Sequence, residues 1–170
     1  EGILKRGETN PFLNGVPFIW CSNNLVVAAI TQCRLYEQLT GSKEFAEMEA
    51  SLRDWLFGCN PWGTSMIVGM PSWGDYPDDP HTSYRDGGKK LAATPGGLVD
   101  GPVYLSIYNQ QIGVRLSKED VYAPFQTSMC VYHDDYGDYS TNEPTMDGTA
   151  SLSFYLSSMQ EMGRKQAEAK

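Results

Sequence analysis

The sequence predicts an all-α fold with about three long helices joined by long ordered loops. Three observations carry that expectation. Apolar residues recur at helical spacing in three segments, Gly and Pro concentrate between the second and the third, and no segment sustains the alternation of a strand. The first helix is expected after Ser22, read as its N-cap, with Leu25, Val26, Ala29, Ile30, Cys33 and Tyr36 on one face and Gly41 at its end. The second starts at Ser42, carries Phe45, Met48, Leu52, Trp55 and Leu56, and closes at Gly58. The short Thr40-Gly41-Ser42 turn should pack these two as an antiparallel hairpin. The third runs from about Pro144 to Met162, with proline suited to its first turn and Leu152, Tyr155, Leu156 and Met159 facing inward. The polar residues 163–170 read as a frayed tail.

Residues 59–142 hold ten of the 17 Gly and seven of the ten Pro. Loops this long are usually functional or disordered, and the density of Trp and Tyr here argues for order. Short extended pieces are expected at 65–68 and 104–107. Three apolar stripes are thin cover for 170 residues, a length that should bury about 70% of its unfolded surface. Partner helices outside this sequence are therefore expected. The chain opens on Glu1 rather than Met, which reads as a processed chain or a piece of a longer one, with all of 1–170 in a single domain.

Composition narrows the function. Hydrophobic residues are 41% and charged residues 20%, as in a globular protein. The net charge of −8 argues against nucleic acid or an anionic membrane as partner. No apolar run approaches the roughly 20 residues of a spanning helix. The four Cys show no CxxC spacing, and a helix between Cys21 and Cys33 would hold them about 18 Å apart, so buried free thiols are expected.

Acidic residues gather in two clusters: Asp75, Asp78, Asp79, His81, Arg85 and Asp86, then His133, Asp134, Asp135, Asp138 and Glu143. Among aromatics this is the composition of a sugar cleft, where rings stack on pyranose CH surfaces and carboxylates bond hydroxyls. Glycoside hydrolysis needs a protonated carboxyl and a second carboxylate. Solvated turns and calcium sites use the same residues, and composition does not choose among them. Glu143, just before Pro144, has two readings. It stabilises the first turn of a helix through the dipole, or it is a proton donor kept protonated by Asp134 or Asp135 and by burial under aromatics.

The run from Tyr132 to Thr145, with Tyr132, Asp134, Tyr139, Glu143, Thr145 and then Ala150 at fixed spacing, resembles the C-terminal active-site motif of glycoside hydrolase family 9. Thr149 stands where that family usually has Asn. Gly58-Cys-Asn-Pro-Trp-Gly-Thr-Ser65, Gly96-Gly-Leu-Val-Asp-Gly-Pro102 and Asn10–Asn23 are similar to further family segments in the same order, so the resemblance covers about residues 8–162. It implies the C-terminal portion of an (α/α)6 toroid, with the three helices as the last of twelve. It also implies inverting hydrolysis of β-1,4-glucans such as cellulose. By the same resemblance Glu143 is the general acid and Asp134 assists it by hydrogen bonding. His81 and Arg85 bind sugar at the cleavage point, and Tyr139 and Trp73 line the cleft. The family pattern is Pro-His-x-Arg, whereas Pro80-His81-Thr-Ser-Tyr-Arg85 has two extra residues before Arg85.

The family's catalytic base lies in an Asp-x-x-Asp motif of its N-terminal half. Asp75-Tyr-Pro-Asp78 has that spacing but the wrong place in the order, and reads as loop. The remaining N-terminal part of the catalytic domain is thus an expected partner, beside a β-glucan polysaccharide or oligosaccharide. An inactive carbohydrate-binding relative and a toroid hydrolase of another polysaccharide are the alternatives. No cofactor is required, and calcium is possible through the Asp75–Asp79 or Asp134–Asp138 runs. A polymer substrate implies a secreted or periplasmic enzyme.

Overall fold

The structure, a computed structural model, describes residues 1–86 and 94–169, with backbone alone at 84–86. Five α-helices are present among the described residues: α1 Gly2–Gly7, α2 Ser22–Thr40, α3 Ala46–Leu56, α4 Leu105–Tyr108 and α5 Met146–Glu168. Short 3-10 turns cover His81–Asp86 and Ala123–Phe125. Two strands, β1 Val103–Tyr104 and β2 Cys130–Val131, pair antiparallel. The chain is helix-rich, as expected, with long irregular connections.

The interior stripes of the three long helices fall where the spacing places them. Val26, Ile30 and Cys33 of α2, Met48, Leu52, Trp55 and Leu56 of α3, and Leu152 and Tyr155 of α5 are buried together. The helix ends differ from expectation. Cys21, in the left-handed region at φ 58°, is the N-cap of α2. The Ser22 hydroxyl instead donates to the Pro102 carbonyl at 2.7 Å. Helix α3 starts at Ala46, four residues after Ser42, and ends at Leu56 before Gly58. Pro144 lies outside α5, bridged to Val99, and Thr145 is the N-cap. Gly41 ends α2 as expected, with a left-handed φ of 72° and its N–H donating to the Glu37 carbonyl.

The tail is helical through Glu168 rather than frayed. Arg164 pairs with Glu161 and Glu168, and Lys165 pairs with Glu161. Such pairs, one turn apart on the exposed helix surface, favour the helical form. Of the piece expected to be extended at 104–107, only Tyr104 is, because β1 ends there and α4 follows. Of the cysteines, Cys33 and Cys130 are buried, but Cys21 is half-buried and Cys59 exposed; all four are unpaired. No helix of the described residues is long and apolar enough to cross a membrane.

Contacts fix the helix directions. Arg34 meets Glu49 and Tyr36 meets Phe45, so α2 and α3 run antiparallel. Asn24 meets Asp147 and Gln38 meets Ser158, so α2 and α5 run parallel. Their N-termini therefore share one end of the bundle. An edge-to-face chain of rings leads from the core to that end: Phe12 on Trp55, Trp55 on Trp62, and Trp62 on Tyr132. A ladder of irregular segments lies beside it. Val68 N–H donates to the Gly97 carbonyl, Val99 N–H to Met66, Asp100 N–H to Glu143, and Thr145 N–H to Leu98. Residues 66–68, 96–100 and 143–145 are thus laid side by side, which places Glu143 next to Asp100.

Candidate active site

Asp134 is buried at 8% exposure and joins two loops. Its Oδ1 accepts the Asp79 N–H at 3.1 Å and Asn142 Nδ2 at 3.0 Å, and its Oδ2 accepts the Asp78 N–H at 3.1 Å. Asn142 also donates to the Asp79 carbonyl and accepts the Tyr132 hydroxyl. Burial pushes the Asp134 carboxyl up, against these donors, which favour the ion. The same network holds His81, whose N–H donates to the Asn142 carbonyl at 2.9 Å. Asn142 immediately precedes Glu143, so one set of bonds fixes the backbone of both.

Three other acids of these clusters anchor loops. Asp135 accepts Ser117 N–H and Oγ and the Lys118 N–H on one oxygen, and Gly137 N–H on the other. Asp138, fully buried, accepts from Ser140 and Thr141 and lies 2.8 Å from His133 Nδ1. Asp79 accepts Ser83 Oγ and Lys118 Nζ. A calcium cage needs several free oxygens facing one point. Here the oxygens of Asp75, Asp79, Asp134, Asp135 and Asp138 already accept N–H and O–H donors, and no group of three or more metal-ligating side chains converges among the described residues. The two acidic runs do not fit that ion.

His81 and Tyr139 line a cavity of about 500 Å³ with Gly113, Arg115, Leu116, Ser117, Tyr136 and Gly137. The imidazole Nδ1 lies 2.6 Å from the Tyr136 carbonyl, and its ring meets Tyr139 edge-on at 5.9 Å. Tyr139 donates its hydroxyl to the Ile112 carbonyl and lies 5.8 Å from the half-exposed Trp20. Trp73, 89% exposed, lies outside this lining. The backbone of Arg85 lies in the 3-10 turn His81–Asp86, and its side chain lies outside the described residues. A cavity of about 400 Å³ between α1, α2 and α3 shares no residue with this lining.

Glu143 stands three residues before Met146, outside the helix proper. Its backbone is held by Asp100, while its side chain is half-buried and has no hydrogen bond among the described residues. Glu143 is not among the residues that line the His81–Tyr139 cavity. Thr149, at the position where the resemblance expects Asn, accepts the Leu98 N–H at 3.0 Å and donates to the Thr145 carbonyl at 2.6 Å. It thereby ties α5 to the ladder. Asp100, 1% exposed, has two buried oxygens without a hydrogen-bond partner.

The sequence reading missed Asp100, Trp20, Arg115 and Asn142. Asn142 had a signal, since it adjoins Glu143 inside the quoted motif. Arg115 had none, because it belongs to a segment without a motif.

The profile of Glycosyl hydrolase family 9 matches residues 4–156. The chain belongs to glycosyl hydrolase family 9. Searches of curated proteins and of solved structures return no match. Family 9 membership implies glycoside hydrolysis as the chemistry and a polysaccharide as the class of substrate.

Proposed function

We propose that this family 9 chain supplies the proton-donor side of a site that cleaves β-1,4-glucosidic bonds with inversion. Glu143 is the general acid that protonates the leaving glycosidic oxygen. Asp134 holds the backbone of Glu143 and His81 in fixed relation, through Asn142 and the 78–79 amides. His81, Tyr139 and Arg85 bind sugar around the point of cleavage, and Arg115 adds a cation to the same cavity wall. Trp73, exposed on its loop, offers a stacking platform farther along the chain of sugars.

One observation carries this reading. Among the described residues the carboxyl of Glu143 has no hydrogen bond, while its neighbours on both sides are anchored. A structural carboxylate would resemble Asp135 or Asp138, whose oxygens are fully engaged. The reading places these residues in an (α/α)6 toroid, with the base on a part of the catalytic domain outside these 170 residues. A polymer substrate places the enzyme outside the cytoplasm, secreted or periplasmic.

Glu143→Gln in the complete catalytic domain tests the assignment. Loss of a general acid removes about 10² to 10⁴ of the rate. Release of reducing sugar from β-1,4-glucan should fall within that range while the thermal midpoint stays within a few degrees. Unchanged turnover would reject Glu143 as the acid.

A further inference from the structure

We propose that Asp100 is a positioning residue for Glu143, a buried carboxyl that must remain neutral for the proton donor and the first turn of α5 to keep their places. The proposal builds on the assignment of Glu143 as the acid.

Asp100 is locked through its main chain. Its N–H donates to the Glu143 carbonyl at 2.9 Å, and its own carbonyl accepts the Asn23 N–H at 2.9 Å. The next residue, Gly101, has φ +87°, and a Cβ there would overlap the buried Asn23 side chain. The segment is thus packed directly against Asn23, with room only for glycine after Asp100. Both carboxyl oxygens are buried and unbonded.

The groups facing Asp100 come from three elements. Cys21 and Trp20 lie on the segment entering α2, Glu143 on the segment before α5, and Asp147 in the first turn of α5. The thiol and the indole favour the ion but do not reach hydrogen-bond geometry, and no Lys or Arg is among the facing groups of the described residues. Burial pushes the Asp100 carboxyl up to about 7; Cys21 opposes this, and the charges of Glu143 and Asp147 add to it. An unpaired buried carboxylate is strongly disfavoured, and a second like charge nearby makes it more so. Ionised Asp100 would repel the Asp147 carboxylate in the first turn of α5, and Glu143 as well once that group has given up its proton. The neutral form leaves the 99–100 and 143–145 pairing intact.

The decisive variant is Asp100→Asn, which keeps the shape and removes the titration. In the complete catalytic domain, the alkaline limb of the kcat/KM profile should move up by about one pH unit or more. Asp147→Asn removes one of the facing charges and should move that limb down, because Asp100 then ionises at lower pH. An alkaline limb unchanged in both variants overturns the proposal. Stability gives a second readout that needs no activity. A carboxyl raised in the fold keeps its proton where the unfolded chain has lost it, so the wild type should lose stability as pH rises from about 4 to about 7. Asp100→Asn should not show that loss, and superimposable stability curves would overturn the neutral, buried state. If Glu143→Gln retains turnover, the acid assignment fails, yet the stability curves still report on Asp100.

Discussion

Asp138 accepts from Ser140, Thr141 and the region of His133 with no solvent exposure. Burial alone would push its carboxyl up, but the bonds from His133, Ser140 and Thr141 outweigh it and hold the carboxyl below its usual range. A depressed carboxyl contributes stability that is present above the unfolded value near 4 and is lost as pH falls through the folded value. Asp138→Asn should therefore cost about 2–4 kcal/mol at neutral pH, because an amide points donors at donors. Urea unfolding at pH 7 and pH 3 checks this, and the cost should shrink at the lower pH. A cost equal at both would show that shape rather than charge matters there. The sequence displays the acidic run but not this division of labour. Asp134, Asp135, Asp138 and Glu143 look alike as letters, and only hydrogen-bond partners separate the anchors from the free carboxyl. Asp100 was still less legible, since it occupies the variable position of Gly-x-Leu-Val-x-Gly-Pro and nothing local marks it as buried.

Helix interiors were legible, as was the Gly41 end of α2, but the other helix ends were not, for a physical reason. The stripe of α2 follows from burial on one face, which periodicity records. The ends were decided by contacts distant in sequence. Pro102 captures the Ser22 hydroxyl, and Val99 draws Pro144 into a bridge, so neither serves the helix locally. A contact of the same kind joins α2, α3 and α5. Glu49, 3% exposed, accepts Arg34 Nε at 3.1 Å, its Nη2, and the Tyr155 hydroxyl at 2.9 Å. Removing one partner from a buried ion pair costs about 3–5 kcal/mol, whereas losing one neutral donor costs about 1 kcal/mol. Glu49→Gln should therefore destabilise by about 3 kcal/mol and Tyr155→Phe by about 1 kcal/mol. Chemical unfolding separates them, and equal effects would mean that Arg34 finds adequate pairing in Glu37 alone, 3.3 Å away.

At the scale of the molecule, the proposed inverting mechanism asks for a second carboxylate beside Glu143. The water-activating carboxylate must sit about 6.5–9.5 Å from the acid, with room for a water between them. Asp75 accepts the Tyr122 hydroxyl, and Asp79, Asp134, Asp135 and Asp138 accept the donors described above. Both Asp-x-x-Asp strings, 75–78 and 135–138, thus contain at least one carboxylate committed to a loop. A committed carboxylate is a poor base, because each donor lowers its proton affinity. The outer surface points the same way: Leu39 is 84% exposed and Phe154 51% exposed, and Leu35 is 39% exposed, as on helices with neighbours still to pack. The 170 residues alone should therefore bind oligosaccharide weakly and release no reducing sugar, while the complete catalytic domain turns over. Calorimetry and a reducing-sugar assay on both proteins check this. Equal turnover would mean that a carboxylate within these residues activates the water.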